Sequence, residues 1–183
     1  MEEKNPNVWL LQTFCLITGA SRGFGQRMAV RFAALLPAGS VLLLAARDSK
    51  GLSDTVAQCR RRRQDVLLKT WSVDLADVDE SSVDRQLVDV FKCVGRQAKD
   101  FAQAVLIHNA ASLGDVSRMF IHQADAVELD RYWRLNLTSP IVLNSVYWQH
   151  FEANAGVRRL VINITSICAK QPFKSWSLYC AGE

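Results

Sequence analysis

A glycine-rich turn near the start of the chain has the residue types and spacing needed to bind a pyrophosphate. It reads TGASRGFG over residues 18–25 and directly follows an apolar run. Gly19 permits a tight turn, Gly23 allows close approach of a phosphate, and Gly25 allows the next helix to pack closely on the strand. Amides at a helix N-terminus bind anions, so the phosphates are expected where a helix begins near Phe24. The turn predicts dinucleotide binding by Gly19, Ala20, Ser21, Arg22, Gly23, Phe24 and Gly25, with a plain strand-to-helix turn as the alternative.

The residues after the second apolar run indicate which dinucleotide is bound. Folds that bind NAD place an acidic residue there, which accepts a hydrogen bond from a ribose hydroxyl. This chain has Arg47 at that place, and Arg47 and Arg22 together offer two guanidinium groups to a 2′-phosphate. The sequence therefore favours NADPH. Two alternatives stay open for Asp48, ribose binding or a helix cap, and two for Asp74 with Leu75, contact with the adenine or a turn.

Five apolar runs alternate with segments of helical periodicity. The runs are nearly continuous in Val, Ile and Leu, which is typical of parallel strands buried on both faces. The alternation predicts an α/β fold, a Rossmann-type doubly wound parallel sheet between two helical layers, as a single domain over residues 1–183. The predicted strands are 14–18, 41–46, 66–73, 104–109 and 160–165, and the predicted apolar helix faces are Phe24, Met28, Phe32 and Leu36, then Val83, Leu87, Phe91 and Val94.

Composition and charge exclude several classes of protein. A chain of 183 residues with 49% hydrophobic and 22% charged residues is neither disordered nor a disulfide scaffold. Its longest purely apolar run, residues 41–46, is far shorter than the roughly 20 residues of a membrane helix. Five cysteines without a Cys-x-x-Cys pair, and no secretory signal in residues 1–10, predict a cytoplasmic protein without a metal site.

The net charge of +4 includes four consecutive arginines at residues 60–63. A nucleic-acid patch and the basic end of a helix are the two interpretations of this run. Because no aromatic residues interleave with the arginines, the helix end is favoured and no nucleic-acid partner is expected.

The order and spacing of the motifs resemble the short-chain dehydrogenase/reductase family. The resemblance rests on the glycine turn, on HNAA at residues 108–111, on Asn136, and on Ser166 thirteen residues before Tyr179. It implies that Asn109 lies at the cofactor and that Ser166, Tyr179 and Asn136 are catalytic. Tyr179 would donate its phenolic proton to a carbonyl oxygen that Ser166 hydrogen-bonds, while Asn136 would hold a relay water. The structural alternatives are a strand-end serine, a packed aromatic residue and an asparagine at a helix kink.

Later segments resemble a branch of the family that reduces pterins. These segments are 112–117, 132–139, 163–169, 171–174 and 176–182. The resemblance implies NADPH-dependent reduction of a carbonyl on a pterin side chain, in tetrahydrobiopterin formation, with Ser166, Ile167 and Tyr179 at the substrate. It also implies a homodimer. A reductase of other small carbonyls is the alternative substrate class.

Glu183 departs from the family pattern with a clear chemical consequence. The family has a lysine four residues after the tyrosine, on the same helix face, where its charge lowers the pKa of the phenol. A carboxylate at that position is expected to raise the pKa of Tyr179. Two smaller departures, His108 for an asparagine and Ala111 for a glycine, are expected to be tolerated, the latter if its φ is negative.

The chain also ends within this motif. The resemblance therefore implies that it lacks the last strands of the family, that its fifth strand is an exposed sheet edge, and that dimerisation is weakened. A fragment, a splice form and a shortened protein are all compatible with this pattern. A nucleotide-binding protein without catalytic activity is accordingly the alternative to an enzyme.

Overall fold

A parallel five-stranded sheet forms the centre of the protein in a computed structural model that describes residues 11–153 and 155–183. The strand order is β3-β2-β1-β4-β5, the arrangement of a doubly wound sheet, and this confirms the predicted fold class. Residues 1–10, where no secretory signal was expected, lie outside the described part. The strands are β1 Thr13–Thr18, β2 Val41–Ala46, β3 Leu67–Ser72, β4 Gln103–His108 and β5 Arg158–Asn163.

Helices cover both faces of this sheet. The first and second helices pack on one face, and the third and fifth pack on the other. Within the described residues, no helix is long and apolar enough to cross a membrane. The helices are α1 Gly23–Leu35, α2 Ser49–Arg62, α3 Glu80–Val94, α4 Ala126–Trp133, α5 Ser139–Phe151 and α6 Ser177–Gly182.

The core under α3 and α5 is aromatic. Phe14 of β1 packs against Phe91 at a ring-centroid distance of 4.8 Å and against Tyr147 at 6.0 Å. Tyr147 is fully buried, and its hydroxyl donates to the carbonyl oxygens of Phe14 (2.8 Å) and Val105 (2.9 Å). These bonds satisfy the hydroxyl in a place without water and fix α5 on the sheet.

The apolar face predicted for α1 is confirmed only in part. Leu36, just after the helix, is fully buried, and Met28 and Phe32 are partly buried against the core. The helix buries Gly25, Ala29 and Ala33, whereas Phe24 is 60% exposed. A Cβ atom on Gly25 would overlap the carbonyl oxygen of Gly19, so α1 lies too close to the glycine turn for large residues on this face. The helix contacts the sheet through its smallest side chains. The face predicted for α3 is confirmed, with Val83, Leu87 and Phe91 buried and Val94 partly buried.

Burial on both faces is confirmed for the three central strands and wrong for the two outer ones. Every residue of β1, β2 and β4 is buried, whereas Trp71 is the one buried residue of β3 and β5 has none. Both strands form edges of the five-stranded sheet, so each has one neighbour and is less covered by helices. The apolar character of a run therefore predicted a strand correctly but not its place in the sheet.

The arginine run ends α2, which confirms the helix-end interpretation. Arg60, Arg61 and Arg62 occupy its last turn, where their charge complements the helix dipole. Arg63 follows the helix and pairs with Asp65, with Nε and Oδ1 2.5 Å apart.

Candidate active site

Hydrogen bonds from the end of β4 hold the glycine-rich turn in place. The Thr18 hydroxyl accepts from the backbone amides of Asn109 (3.0 Å) and Ala110 (3.1 Å). The Asn109 side-chain amide donates to the carbonyl oxygens of Thr18 (3.0 Å) and Gly19 (3.2 Å). Asn109 therefore stabilises the turn through these hydrogen bonds and also lines the adjacent cleft.

The three glycines of the turn are required for different structural reasons. Gly19 and Gly23 have φ values of +66° and +59°, in the left-handed region that favours glycine. A Cβ atom on Gly23 would meet no atom within 4 Å, so this glycine faces open space. Gly25 instead has a negative φ and is needed for close packing against Gly19. Of these three, Gly23 is the glycine that leaves room on the side where a ligand can approach.

The N-terminus of α1 faces this open space with its first amides uncapped. Arg22 occupies the N-cap position but makes no side-chain capping hydrogen bond, and the first turn has no acidic residue. The first amides of a helix have no intrahelical acceptor, and the helix dipole favours negative charge there. A helix N-terminus with these features can bind an anion.

A cleft of about 300 Å³ lies beside the turn at the carboxyl ends of the strands. It also contains Ala46, Val73, Ala110, Ala111 and Leu135, which were not among the predicted cofactor-binding residues. Three predicted residues do not line it: Ala20 is fully buried, Ser21 faces Gly51 of α2, and Asp48 caps α2. Nine predicted residues do line it, namely Gly19, Arg22, Gly23, Phe24, Gly25, Arg47, Asp74, Leu75 and Asn109.

The carboxylate of Asp48 caps α2, accepting a hydrogen bond from Gly51 N at 3.0 Å. This is the helix-cap alternative left open for Asp48. Asp74 also caps a helix: its Oδ1 accepts from Ala76 N at 3.0 Å, at the start of a short 3-10 helix over Leu75–Asp77. Both carboxylates are therefore held by local backbone contacts.

Asp74 also contacts two arginines. Its Oδ2 lies 2.5 Å from Arg131 Nη2 and 3.6 Å from Arg47 Nη1. Arg47 is 68% exposed at the mouth of the cleft, whereas the Asp74 side chain is 22% exposed. Arg131 belongs to α4, and no feature of the sequence placed it beside Asp74. The pair joins two segments that are 57 residues apart.

A larger groove, of about 780 Å³, lies away from this site. It is formed by the end of α3, by residues 95–100 before β4, and by the end of α5. It contains none of the predicted site residues. We assign the site to the smaller cleft, because the glycine turn and the exposed guanidinium groups converge there.

Ser166 and Tyr179 are brought together as predicted. Ser166 follows β5 and caps a short 3-10 helix over Ile167–Ala169, accepting from Cys168 N at 3.2 Å. Its hydroxyl lies close enough to the phenol of Tyr179 on α6 to lower the pKa of that phenol, because a nearby hydroxyl stabilises the phenolate.

Glu183 opposes this effect. Partial burial is the largest cause that raises the pKa of Tyr179, and the nearby Glu183 carboxylate is the next. The expected direction of the Glu183 effect is confirmed, although desolvation contributes more. The second carboxylate oxygen, Oε2, is buried and has no hydrogen-bond partner in the described part of the chain.

Asn136 lies in a π-helical segment, Arg134–Thr138, between α4 and α5. Its side chain accepts from Ser112 N (2.9 Å) and donates to the carbonyl oxygens of Ser112 (3.2 Å) and Tyr132 (3.2 Å). Single π turns are frequent at functional sites. Asn136 thus fixes the loop after β4 to the helix, and these three contacts do not join it to Tyr179 directly.

Tyr132 connects α4 to α6. It is 5% exposed, and its hydroxyl donates to Leu178 O at 3.1 Å. A Cβ atom on Gly182 would overlap that hydroxyl, so α6 packs tightly against the ring. Burial and the nearby Glu183 raise the pKa of Tyr132 to about 12. Tyr132 holds the helix that carries Tyr179, a role that sequence spacing alone did not reveal.

An apolar surface surrounds Ser166 and Tyr179. Trp176 lies edge-on to Tyr179 at a centroid distance of 5.7 Å, and Phe173 follows at 6.1 Å from Trp176. Ile167 is 62% exposed and Phe173 is 42% exposed. The predicted substrate residue Ile167 therefore lies beside Ser166 with its side chain accessible.

The φ angle of Ala111 is not positive. The condition stated for tolerating an alanine in place of the family's glycine is therefore met.

Known proteins share this sequence pattern along most of the chain. The profile of the family described as short chain dehydrogenase matches residues 13–182. Sepiapterin reductase from Mus musculus is 40% identical over 169 residues, which cover 92% of this chain and 63% of that protein. Sepiapterin reductase from Bos taurus is 39% identical over 173 residues, covering 94% and 63%. The chain thus spans less than two thirds of the length of these relatives.

The fold is shared with solved structures. A metagenomic short-chain oxidoreductase in complex with NADP superposes with a TM-score of 0.76 at 24% identity, over 94% of this chain and 70% of that one. At this identity the similarity concerns the fold alone. It agrees with the strand order and helix placement described above.

Proposed function

The chain belongs to the short-chain dehydrogenase family, and from this membership we propose that it binds NADPH in the cleft beside the glycine turn. The observation that carries the proposal is the convergence of uncapped α1 amides with Arg22 and Arg47 on one cleft. Amides suit a pyrophosphate, and guanidinium groups suit a 2′-phosphate. The open space at Gly23, which a side chain would fill, fits a closely approaching phosphate.

We propose that the reaction of this site is reduction of a carbonyl group. Bound NADPH would supply the hydride for the carbonyl carbon. Tyr179 would donate its phenolic proton to the carbonyl oxygen, and Ser166 would hydrogen-bond that oxygen as negative charge develops. Asn136 would position the loop at Ser112 and hold a relay water. The proximity of the Ser166 hydroxyl to the Tyr179 phenol supports this assignment.

The substrate we propose is a pterin with a carbonyl side chain, as in tetrahydrobiopterin formation. Identity of 40% with mouse sepiapterin reductase supports this class. The exposed side chains of Ile167 and Phe173, together with Trp176, offer a surface on which a flat bicyclic ring can stack beside Tyr179. Other small carbonyls remain the alternative substrates.

The setting in which the site acts is part of the same proposal. We expect a single NADP-binding domain over residues 1–183, a cytoplasmic location and a homodimer. Leu137 in the π-helical segment and Ile141 near the start of α5, 49% and 58% exposed, provide apolar surface for such an interface.

A second candidate function is nucleotide binding without turnover. It is favoured by the Glu183 carboxylate near Tyr179, which raises the pKa of the phenol. A phenol with a raised pKa is a weaker acid and donates its proton less readily in the transition state. On this basis, we expect this chain to reduce carbonyl substrates slowly.

Titration of the purified chain with NADPH, followed by cofactor fluorescence, tests the proposal. Arg22→Met and Arg47→Met should each weaken binding about 10-fold, because each removes one charge-assisted contact with phosphate. Arg27→Met is the matched control, since Arg27 is exposed on α1 outside the cleft. A folded chain that does not bind NADPH would refute the proposal.

Oxidation of NADPH in the presence of sepiapterin separates the two candidates. Slow oxidation that Tyr179→Phe abolishes would support an enzyme, and no oxidation despite tight NADPH binding would support the second candidate. Rapid turnover would contradict the inhibitory role assigned to Glu183.

A further inference from the structure

We propose that Arg131 is a positioning residue that keeps Arg47 available for the 2′-phosphate of NADPH. This inference rests on the proposed NADPH-binding function and concerns a residue outside the cleft lining. Its basis is the shared carboxylate oxygen of Asp74, which two guanidinium groups approach at different distances. Arg131 thereby favours NADPH over NADH without touching either cofactor.

The cleft is lined by charged residues of both signs. Its ionisable lining residues are Arg22, Arg47 and Asp74, so a carboxylate lies among the groups that must attract a phosphate. Arg47 already lies within ion-pair distance of that carboxylate, at 3.6 Å, and without Arg131 the pair would tighten into a hydrogen-bonded contact that competes with the ligand. A guanidinium that is bound to a carboxylate has fewer donors for a phosphate.

Arg131 and Arg47 approach the carboxylate of Asp74 at different distances. Arg131 Nη2 lies 2.5 Å from Asp74 Oδ2, a hydrogen-bonded ion pair, whereas Arg47 Nη1 lies 3.6 Å from the same oxygen, beyond hydrogen-bond distance. Oδ1 of Asp74 already accepts from Ala76 N. Arg131 therefore takes the carboxylate oxygen that Arg47 would otherwise bind.

Arg131 is held in place by its position in α4 and by a second carboxylate. It lies in the last turn of α4, where a cation complements the helix dipole, and its Nη1 lies 3.6 Å from Asp77 Oδ1. Asp74 and Asp77 flank one short 3-10 helix, so Arg131 contacts both ends of it. Arg47, by contrast, is 68% exposed and can turn toward a ligand.

Binding of both cofactors to variants of the full chain tests the inference. Arg131→Met should weaken NADPH binding about 5-fold, the size expected of a partly exposed ion pair, and leave NADH binding unchanged. Arg131→Lys should retain part of the preference. Arg134→Met is the matched control: it removes the same charge one turn further along, where Arg134 pairs with Asp130 at 2.9 Å.

The Asp74→Asn background distinguishes positioning from a general charge effect. The local cap does not need the negative charge, because the amide oxygen of an asparagine at this position can still accept from Ala76 N. In this background, Arg131→Met should no longer change NADPH affinity, because no carboxylate is left to capture Arg47. A simple loss of positive charge would weaken NADPH binding equally in both backgrounds.

The results separate this inference from the proposed function. A wild-type chain that binds neither cofactor refutes both. A chain that binds NADPH, but in which Arg131→Met leaves the ratio of NADPH to NADH affinity unchanged or weakens both cofactors equally, refutes the role of Arg131 alone. Persistence of the Arg131→Met effect in the Asp74→Asn background refutes it as well.

Discussion

Alanine at Gly23, Gly25 and Gly95 should separate the cofactor site from the stability of the turn. Gly23 and Gly95 have similar positive φ values, +59° and +66°, and a Cβ atom on either would meet no atom within 4 Å. Each substitution should therefore lower the free energy of unfolding only through the strain of an alanine at positive φ, roughly 1 kcal/mol. Gly95 ends α3 far from the cleft, so Gly95→Ala is the matched control.

Gly25→Ala should be more destabilising for a different reason. Its Cβ atom would overlap the Gly19 carbonyl oxygen and lie 2.5 Å from Asn109 Nδ2. The Gly19 neighbour is backbone and cannot rotate away, so we expect the upper end of the overpacking range, about 3 kcal/mol. In a chain of this size the midpoint of thermal unfolding would fall by about 10 °C, against about 3 °C for the other two variants.

Urea unfolding followed by tryptophan fluorescence, together with NADPH titration, checks these values. Gly23→Ala should abolish NADPH binding while its stability matches that of Gly95→Ala, which should bind NADPH normally. Two results would refute the reasoning: equal NADPH affinity of the Gly23 and Gly95 variants, or a Gly25 variant as stable as either.

Two further predictions concern titratable groups. Glu183→Gln should lower the pKa of Tyr179 toward its ordinary value, because the carboxylate near the phenol is removed. Glu183→Lys should lower this pKa further, because a cation replaces the carboxylate. Absorbance titration of the phenol, corrected with Tyr179→Phe, measures the pKa, and an unchanged titration contradicts the prediction. Burial lowers the pKa of His108 despite its bond to Asn144, so this group stabilises the fold above pH 6.5 and the contribution is lost as pH falls through the lowered pKa. His108→Asn should make urea stability less sensitive to acid between about pH 7 and pH 5, and equal pH dependence in both proteins would count against the assignment.

The sheet was predictable because parallel strands that are covered on both faces need uninterrupted apolar runs. Runs at 14–18, 41–46 and 104–109 coincide with β1, β2 and β4 to within one residue at each end. The run 66–73 also agrees with the edge strand β3 to within one residue at each end. The run 160–165 is displaced two residues toward the C-terminus relative to β5, because β5 begins with two arginines that an apolar run does not include.

Periodicity succeeded only in part in α1, because it counts apolar residues and not their size. Met28 and Phe32 pack against the core and Leu36 is fully buried, but Phe24 is exposed, and the fully buried residues of the helix are Gly25, Ala29 and Ala33. At Gly25 the short distance between α1 and the glycine turn leaves no room for a side chain. That distance depends on the packing of several elements.

The sequence by itself determined the alternating α/β order and the glycine-rich turn between β1 and α1, because both depend on local residue types and spacing. The family resemblance, and not spacing alone, indicated that Ser166 lies near Tyr179. The tertiary structure alone decided that Arg131 pairs with Asp74, that Tyr132 holds α6, and that Asn136 fixes the loop at Ser112. These contacts join segments 24 to 57 residues apart. Neither residue type nor spacing encodes such contacts, since they arise only when separate elements pack on the same sheet.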